Sequence, residues 1–132
     1  MEVGQNHKSR VEITPQLVAD FAKCSGDFNP IHLDAEFASR TVFKKPIAHG
    51  MLGMSLLSGA MGTKFPGPGT ILMEQSMKFM KPIYVGDTVT LEIFVEHVRE
   101  DKPIVTLLCR ILNRAEEITS EGKIIVRAPK GV

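Results

Sequence analysis

The feature that most constrains the fold of this chain is a long apolar run at residues 47–61. The run is apolar on nearly every side, and its length and its content of Met, Leu and Ala favour a buried helix over a strand. The Pro-Gly-Pro-Gly sequence at residues 66–69 ends it, because proline and glycine both disrupt regular structure. A helix of this kind requires another layer of structure to cover it.

Strand signals supply that layer in the second half of the chain. Four strands are predicted, and they cover residues 70–81, 88–98, 104–112 and 118–127. Their close spacing favours an antiparallel sheet. A sheet with one face on the core needs an apolar cover, and the helix at residues 47–61 is the candidate. The sequence therefore predicts an α+β fold with one domain over residues 1–132, while the order of the strands stays open.

The first half of the chain is predicted to contain helix and loop with little strand. Residues 11–13 alternate apolar and polar side chains, which is weak support for a short strand. Thr14 followed by Pro15 is typical of a helix N-terminus, and this helix is predicted to run to about Cys24 and to end before Ser25-Gly26. After Gly26 the pattern is irregular, and a single helical turn is predicted at residues 35–39.

Composition and charge exclude several classes of protein. The chain of 132 residues has a formal net charge of +1, which gives no electrostatic attraction to nucleic acid or to a membrane surface. Its most apolar stretch, residues 46–61, is too short and too rich in glycine to cross a bilayer. The two cysteines, Cys24 and Cys109, form neither a disulfide framework nor a zinc pattern. We therefore expect a soluble protein of the cytoplasm.

A polar loop after the first predicted helix concentrates groups that can transfer protons. Asp27 and His32 are close in the chain, and the turn at Asn29-Pro30 bends it so that both side chains can point into one space. A carboxylate and an imidazole that share a water molecule suit the addition of water, because one group takes a proton while the other returns one. The alternative is a turn in which Asp27 and Asn29 only accept hydrogen bonds from backbone amides.

The full string around this loop resembles the hydratase-2 motif of MaoC-like enoyl-CoA hydratases. That motif contains an aromatic residue, a Ser-Gly-Asp-x-Asn-Pro sequence, an aliphatic residue, a histidine and, further on, a small residue. This chain supplies Phe21, Ser25-Gly26-Asp27, Asn29-Pro30, Ile31, His32 and Ala38. The resemblance continues through residues 46–51 and 75–79 to Pro82 and residues 85–87, so it covers nearly the whole chain in order.

The resemblance implies a hotdog fold, in which a curved antiparallel sheet wraps a long central helix, and it implies a homodimer. It further implies that Asp27 and His32 are the catalytic pair that activates water, and that Asn29 shapes the loop or orients the water. The expected reaction is the reversible syn hydration of a trans-2-enoyl-CoA to an (R)-3-hydroxyacyl-CoA. The coenzyme A thioester is the substrate, and no cofactor is expected. No metal is expected either, because the sequence shows no cluster of Cys, His and carboxylate at ligand spacing.

Further candidates lie on or beside the predicted central helix. Gly50 is at its start, where unpartnered N–H groups and the helix dipole can stabilise a thioester oxygen that gains negative charge; simple helix packing is the alternative. His49 is expected to have a structural role such as supporting the loop, with helix capping or contact with coenzyme A as alternatives. Ser58 matches a family position close to the pocket, or is a small residue that permits packing. Met61, on the same side of the helix as Ser58, is expected to form the floor of the acyl pocket.

Two observations bear on rival functions. Many hotdog acyl-CoA thioesterases and acyl-carrier-protein dehydratases place a carboxylate on the central helix, and residues 50–61 contain no Asp or Glu. A non-catalytic acyl-CoA-binding hotdog protein would require neither Asp27 nor His32. Hydration is therefore favoured over both, and a fall in the enone absorbance of crotonyl-CoA distinguishes it from them. The acyl chain length and the pathway, whether supply of polyester monomers or fatty-acid breakdown, stay open.

The predicted strand at residues 70–81 bears on assembly. It is long and offers apolar side chains that include Leu72, Met73, Met77 and Phe79. If it were left unpaired, such a strand would be an edge prone to aggregation. A second copy of the chain joined edge to edge would cover it, and a two-fold pair is the commonest oligomer. We therefore expect a homodimer.

Overall fold

One antiparallel sheet and four helices make up residues 1–129, the part of the chain that the computed structural model describes. In chain order the elements are β1 (Asn6–Glu12), α1 (Pro15–Ser25), α2 (Pro30–Leu33), α3 (Ala35–Ser39), α4 (Gly50–Thr63), β2 (Ile71–Phe79), β3 (Thr88–Val98), β4 (Ile104–Leu112) and β5 (Ile118–Arg127). The strand order across the sheet is β1-β3-β4-β5-β2. The predicted α+β class is confirmed, and the strand order that the sequence left open is determined.

The strands largely follow their predicted bounds. β3, β4 and β5 begin and end at the predicted residues, whereas β2 is shorter at both ends and stops at Phe79. β1 is longer than the strand predicted at residues 11–13, since it pairs with β3 from Asn6 to Glu12. The half-buried side chains of β1 include His7 and Ser9. Because these are polar, the alternation that marks a strand in sequence is weak there.

The central helix α4 starts later than the apolar run. Ile47 forms an isolated antiparallel bridge with Tyr84, and the N–H of Ala48 donates to the backbone oxygen of Ile83 at 2.7 Å. This pairing holds the first residues of the run in an extended conformation, so the helix begins only at Gly50. The predicted start at residue 47 is therefore wrong, because long-range backbone pairing outweighs the local helical preference.

One side of α4 packs on the sheet. The buried residues of the helix are Leu52, Gly53, Met54, Leu57, Ala60 and Met61. Gly53 permits a close approach, because a Cβ at this position would lie 2.9 Å from Cδ1 of Ile111. On the opposite side of the helix, Met51 is 54% exposed. The expectation of burial on nearly every side is therefore wrong for a single chain, since one sheet covers one side of a helix.

The helices α1, α2 and α3 carry the polar loop. α1 begins at its predicted cap, where Oγ1 of Thr14 accepts a hydrogen bond from the N–H of Leu17 at 3.0 Å. It ends at Ser25, one residue beyond the predicted Cys24, and the next residue is Gly26, whose φ of 80° lies in the left-handed region that glycine adopts without strain. The chain then turns back towards the start of α4. Among the described residues, no helix is long and apolar enough to cross a membrane.

Candidate active site

Hydrogen bonds between neighbouring residues shape the loop that follows α1. Oγ of Ser25 accepts the N–H of Asp27, Oδ1 of Asp27 accepts the N–H of Asn29, and Oδ1 of Asn29 accepts the N–H of Ile31, each at 3.2 Å. The turn interpretation of the sequence is thus realised, and Asn29 caps α2. It does not compete with a chemical role, because only one of the two carboxylate oxygens of Asp27 is used in this turn.

His32 lies on α2 with one ring nitrogen engaged. Its Nδ1 is 2.7 Å from the backbone oxygen of Ile47. Because a carbonyl oxygen only accepts, Nδ1 is the donor and Nε2 is the nitrogen left for chemistry. Burial lowers the pKa of the His32 imidazole below 6.5, and it outweighs the opposing effect of the hydrogen bond to Ile47. At neutral pH the ring is therefore mainly neutral, and its Nε2 carries a lone pair.

The structure brings Asp27, His32 and His49 into one cluster. One ligand atom from each residue lies within 4.8 Å of the other two. The two imidazoles are stacked, with ring centroids 3.8 Å apart and an interplanar angle of 30°. The predicted pair of Asp27 and His32 is thus close in space, and both lie beside the start of α4. Three potential metal ligands therefore come together in the fold, although the sequence shows no cluster at ligand spacing.

Gly50 is the first residue of α4, directly after His49. The N–H groups of a first helical turn have no partner within the helix and carry the positive end of its dipole. A Cβ at Gly50 would lie 3.1 Å from Cε1 of Phe79, so packing favours glycine here. Glycine also leaves the backbone N–H groups open to a ligand. A cavity of about 270 Å³ opens beside Gly50 and is lined mainly by apolar residues, among them Ile47 and Ile83.

Ser58 and Met61 line a different cavity, further along α4. It has a volume of about 130 Å³, and its other lining residues are Gly62, Thr70, Leu72 and Val126. Met61 is buried, whereas Ser58 is on the exposed side of the helix. The structure therefore brings these two predicted residues together, at a distance from the cluster of Asp27, His32 and His49.

Some contributors to the site were missed by sequence reasoning. Ile47 contributes its backbone oxygen to His32, which no side-chain pattern could reveal. Phe21 packs its ring against His49, with centroids 4.9 Å apart. The position of Phe21 within the motif was a signal for a role beside the loop, but its partner is a residue from another part of the chain. Val126, at the 130 Å³ cavity, lies in an ordinary buried strand pattern and gave no signal.

Comparison with known proteins gives consistent results. The sequence profile described as MaoC like domain matches residues 2–108. The chain is 46% identical over 129 residues to an (R)-specific enoyl-CoA hydratase from Aeromonas caviae, with 98% of this chain and 96% of that protein covered. It is 38% identical over 128 residues to an (R)-specific enoyl-CoA hydratase from Rhodospirillum rubrum, with 96% and 87% covered.

A solved structure of a similar protein agrees with these sequence comparisons. The structure of an (R)-hydratase from Aeromonas caviae involved in PHA biosynthesis superposes with a TM-score of 0.95 at 46% identity, and 98% of each chain is covered. This match confirms the expected hotdog fold. The chain belongs to the MaoC-like domain family.

Proposed function

We propose that this protein is an (R)-specific enoyl-CoA hydratase. The observation that carries the proposal is the cluster at the start of α4, where the carboxylate of Asp27 and the imidazole of His32 lie within 4.8 Å of each other. A relative covered over nearly its whole length, at 46% identity, has this activity in its name. The substrate is a trans-2-enoyl-CoA, and the product is an (R)-3-hydroxyacyl-CoA.

The geometry supports the following division of roles. A water molecule binds between Asp27 and Nε2 of His32, and its oxygen attacks C3 of the enoyl group. The pair removes one proton from the water and returns one proton to C2, so the elements of water are added across the double bond. Because the hydroxyl and the proton are added to the same face of the substrate, addition is syn and gives a single configuration at C3. Asn29 keeps the loop in shape through its cap on α2.

Gly50 is assigned to the thioester oxygen. As C3 is attacked, electron density moves to that oxygen and an enolate-like state forms. The backbone N–H groups at the start of α4 can donate to the oxygen, and the helix dipole adds to the stabilisation. The 270 Å³ cavity beside Gly50 offers room for the thioester and the groups next to it. The smaller cavity between Ser58 and Met61 is the proposed floor of the acyl pocket.

The assembly that we propose is a homodimer. Every residue of β2 except Met77 is exposed, although Ile71, Leu72, Met73 and Phe79 are large and apolar. β2 pairs with β5 and lies at the edge of the sheet. The uncovered side of α4 exposes Met51 as well. A second copy that joins β2 to β2 would cover this strand edge, which in a single chain offers unpaired backbone groups and apolar side chains.

The substrate is itself the coenzyme A thioester, and the proposed steps need no cofactor or metal. Cys24 and Cys109 are both free thiols, which suits a reducing cytoplasm. The chemistry would serve either supply of polyhydroxyalkanoate precursors or fatty-acid metabolism, and the similar Aeromonas caviae hydratase is involved in PHA biosynthesis.

A thioesterase or a non-catalytic acyl-CoA-binding protein is the rival function. α4 carries no Asp or Glu between Gly50 and Thr63, so the helix offers no carboxylate to activate water at the thioester carbon. A binding protein would have no need for an acid–base pair. A single assay separates the three functions: a hydratase lowers the enone absorbance of crotonyl-CoA without releasing thiol, a thioesterase releases thiol, and a binding protein does neither.

Stereochemistry is the sharper test of the proposed mechanism. We expect chiral analysis of the hydrated product to give (R)-3-hydroxybutyryl-CoA alone. In deuterium oxide, the deuterium at C2 and the hydroxyl at C3 should be added to the same face. A racemic product would mean that Asp27 and His32 do not act on one water molecule, and an (S) product would contradict the proposed (R) specificity.

A further inference from the structure

His49 lies at the start of α4, but its side chain bonds to the Asp27 loop and not to the helix. It is the N-cap residue, with φ −60° and ψ 137°, yet its side chain makes no capping hydrogen bond. Its Nε2 instead lies 2.9 Å from the backbone oxygen of Asp27. Because that oxygen can only accept, Nε2 is the donor. The ring is 2% exposed, so this hydrogen bond is shielded from water.

The hydrogen bond from His49 joins residues that are much further apart in sequence than the other bonds that shape the Asp27 loop. The bonds of Asp27 with Ser25 and Asn29 join residues two apart, and they fix the local turn. The bond from His49 spans 22 residues and ties the loop to the central helix. The local turn could therefore persist while the whole loop shifted, and the bond from His49 opposes such a shift.

The same ring also contacts the other member of the proposed pair. The centroids of His49 and His32 are 3.8 Å apart. The Nδ1 hydrogen bond to Ile47 fixes the direction of the His32 ring, and the stack restricts its rotation. Phe21 packs against His49 with a centroid distance of 4.9 Å, which supports the stack from α1. One imidazole thus holds Asp27 through its backbone and His32 through its ring face.

We propose that His49 is a positioning residue that sets the distance between the carboxylate of Asp27 and Nε2 of His32. The proposal rests on the proposed hydratase function. The hydrogen bond from Nε2 of His49 is made to the Asp27 carbonyl, so we assign His49 to positioning and leave proton transfer to Asp27 and His32. Misplacement of reacting groups by about 1 Å can cost a factor of about 100 in rate, so a contact of this kind can control turnover without touching substrate.

Three substitutions separate the two contacts. His49→Gln retains a donor at a similar reach but loses the ring, His49→Phe retains the ring but loses the donor, and His49→Ala loses both. His97→Gln is the matched control, because His97 is exposed on β3 outside the cluster. We expect His49→Ala to lower kcat for crotonyl-CoA by about 10- to 100-fold, with a much smaller change in KM, and the other two variants to lie between it and the parent.

A purely structural role for His49 would produce a different result. Urea unfolding of each variant shows whether the protein assayed is folded, and kcat is compared only among folded variants. Burial lowers the pKa of His32, and the neighbouring His49 lowers it further, against the opposing effects of the hydrogen bond to Ile47 and of Asp27. Removing the ring in His49→Ala should therefore shift the acid limb of kcat/KM to higher pH, which a loss of stability alone would not do.

A double-mutant test completes the experiment. If His49 acts by positioning Asp27, then His49→Ala should cost much less in an Asp27→Asn background than in the parent. Parent-like kcat in folded His49→Ala, or equal losses in both backgrounds, would overturn the positioning role. An inactive parent protein would instead overturn the proposed hydratase function, so the two failures are distinguishable.

Discussion

The backbone oxygen of Ile47 lies 2.7 Å from Nδ1 of His32 and thereby selects Nε2 as the reactive nitrogen of that ring. Ile47 is available for this contact because its bridge to Tyr84 keeps it extended, just ahead of the helix. This backbone acceptor is held in place by the bridge to Tyr84 and by the hydrogen bond from the N–H of Ala48 to the backbone oxygen of Ile83. The orientation of His32 therefore depends on the start of α4 being at Gly50 rather than at residue 47.

Asp27→Asn and His32→Ala are each expected to lower turnover of crotonyl-CoA by about two to four orders of magnitude, the range for a positioned acid–base group. Asparagine can still accept the N–H of Asn29 through its side-chain oxygen, so the turn should survive in the first variant. Asp20→Asn serves as the control, because Asp20 is exposed on α1 and bonds only locally with Gln16. Full activity in either folded site variant would contradict the assigned pair.

The pH dependence of kcat/KM should report the His32 imidazole. Burial lowers the pKa of His32 below 6.5, so the neutral ring with its Nε2 lone pair persists into mildly acid solution. If neutral His32 takes the proton from water, kcat/KM falls as pH decreases, with a midpoint below 6.5. The residual activity of His32→Ala should lack this limb. An acid limb with its midpoint above 6.5 would contradict the effect of burial.

Prolonged treatment with EDTA is expected to leave the rate unchanged. Asp27, His32 and His49 come within 4.8 Å of one another, but the two imidazoles are stacked at 30°. Stacked rings direct their nitrogen lone pairs along nearly parallel planes, whereas a metal ion requires lone pairs that converge on it. Elemental analysis of the purified protein should find metal well below one ion per chain. Loss of activity with EDTA, restored by a transition metal, would refute the metal-free mechanism.

Met61→Ala is expected to raise activity on longer enoyl-CoAs relative to crotonyl-CoA. Met61 lines the 130 Å³ cavity with Ser58 and Val126, and truncation would enlarge it. Because Met61 is buried, the substitution should also lower the free energy of unfolding by about 2–5 kcal/mol. Met54→Ala is a matched control, since Met54 is buried on the same helix and does not line this cavity. Rates on four-, six- and eight-carbon substrates at a temperature where both variants are folded provide the measurement, and an unchanged profile in Met61→Ala would refute only the pocket assignment.

Light scattering at micromolar concentration should give twice the mass of one chain. The apolar exposed side chains of β2 are expected to lie in the dimer interface, so a charge placed there should weaken association. Met73→Glu is the proposed variant, because Met73 is 54% exposed in the single chain. Glu12→Lys on β1, at the other edge of the sheet, is the control and should leave the mass unchanged. A parent protein with the mass of one chain would exclude the dimer.

Much of the secondary structure could be predicted because it depends on local features of the sequence. The cap at Thr14 and the alternation along β3 to β5 are short-range patterns, and they place their elements at the predicted residues. The pairing of Asp27 and His32 was also predictable, since both belong to one loop and its motif resembles that of a known family. Sequence reasoning was less successful for β1, because two of its three half-buried positions, His7 and Ser9, are polar.

The sequence by itself determined the α+β class, the strands β2 to β5 and the loop that contains Asp27 and His32, because these depend on residues that are neighbours along the chain. Only the tertiary structure decided which distant groups complete the site. The extended conformation of Ile47, the ring of His49 against His32 and the one-sided burial of α4 all depend on backbone pairing and packing between residues that are distant in the chain. Such contacts join residues with no fixed spacing in sequence, so no local pattern encodes them.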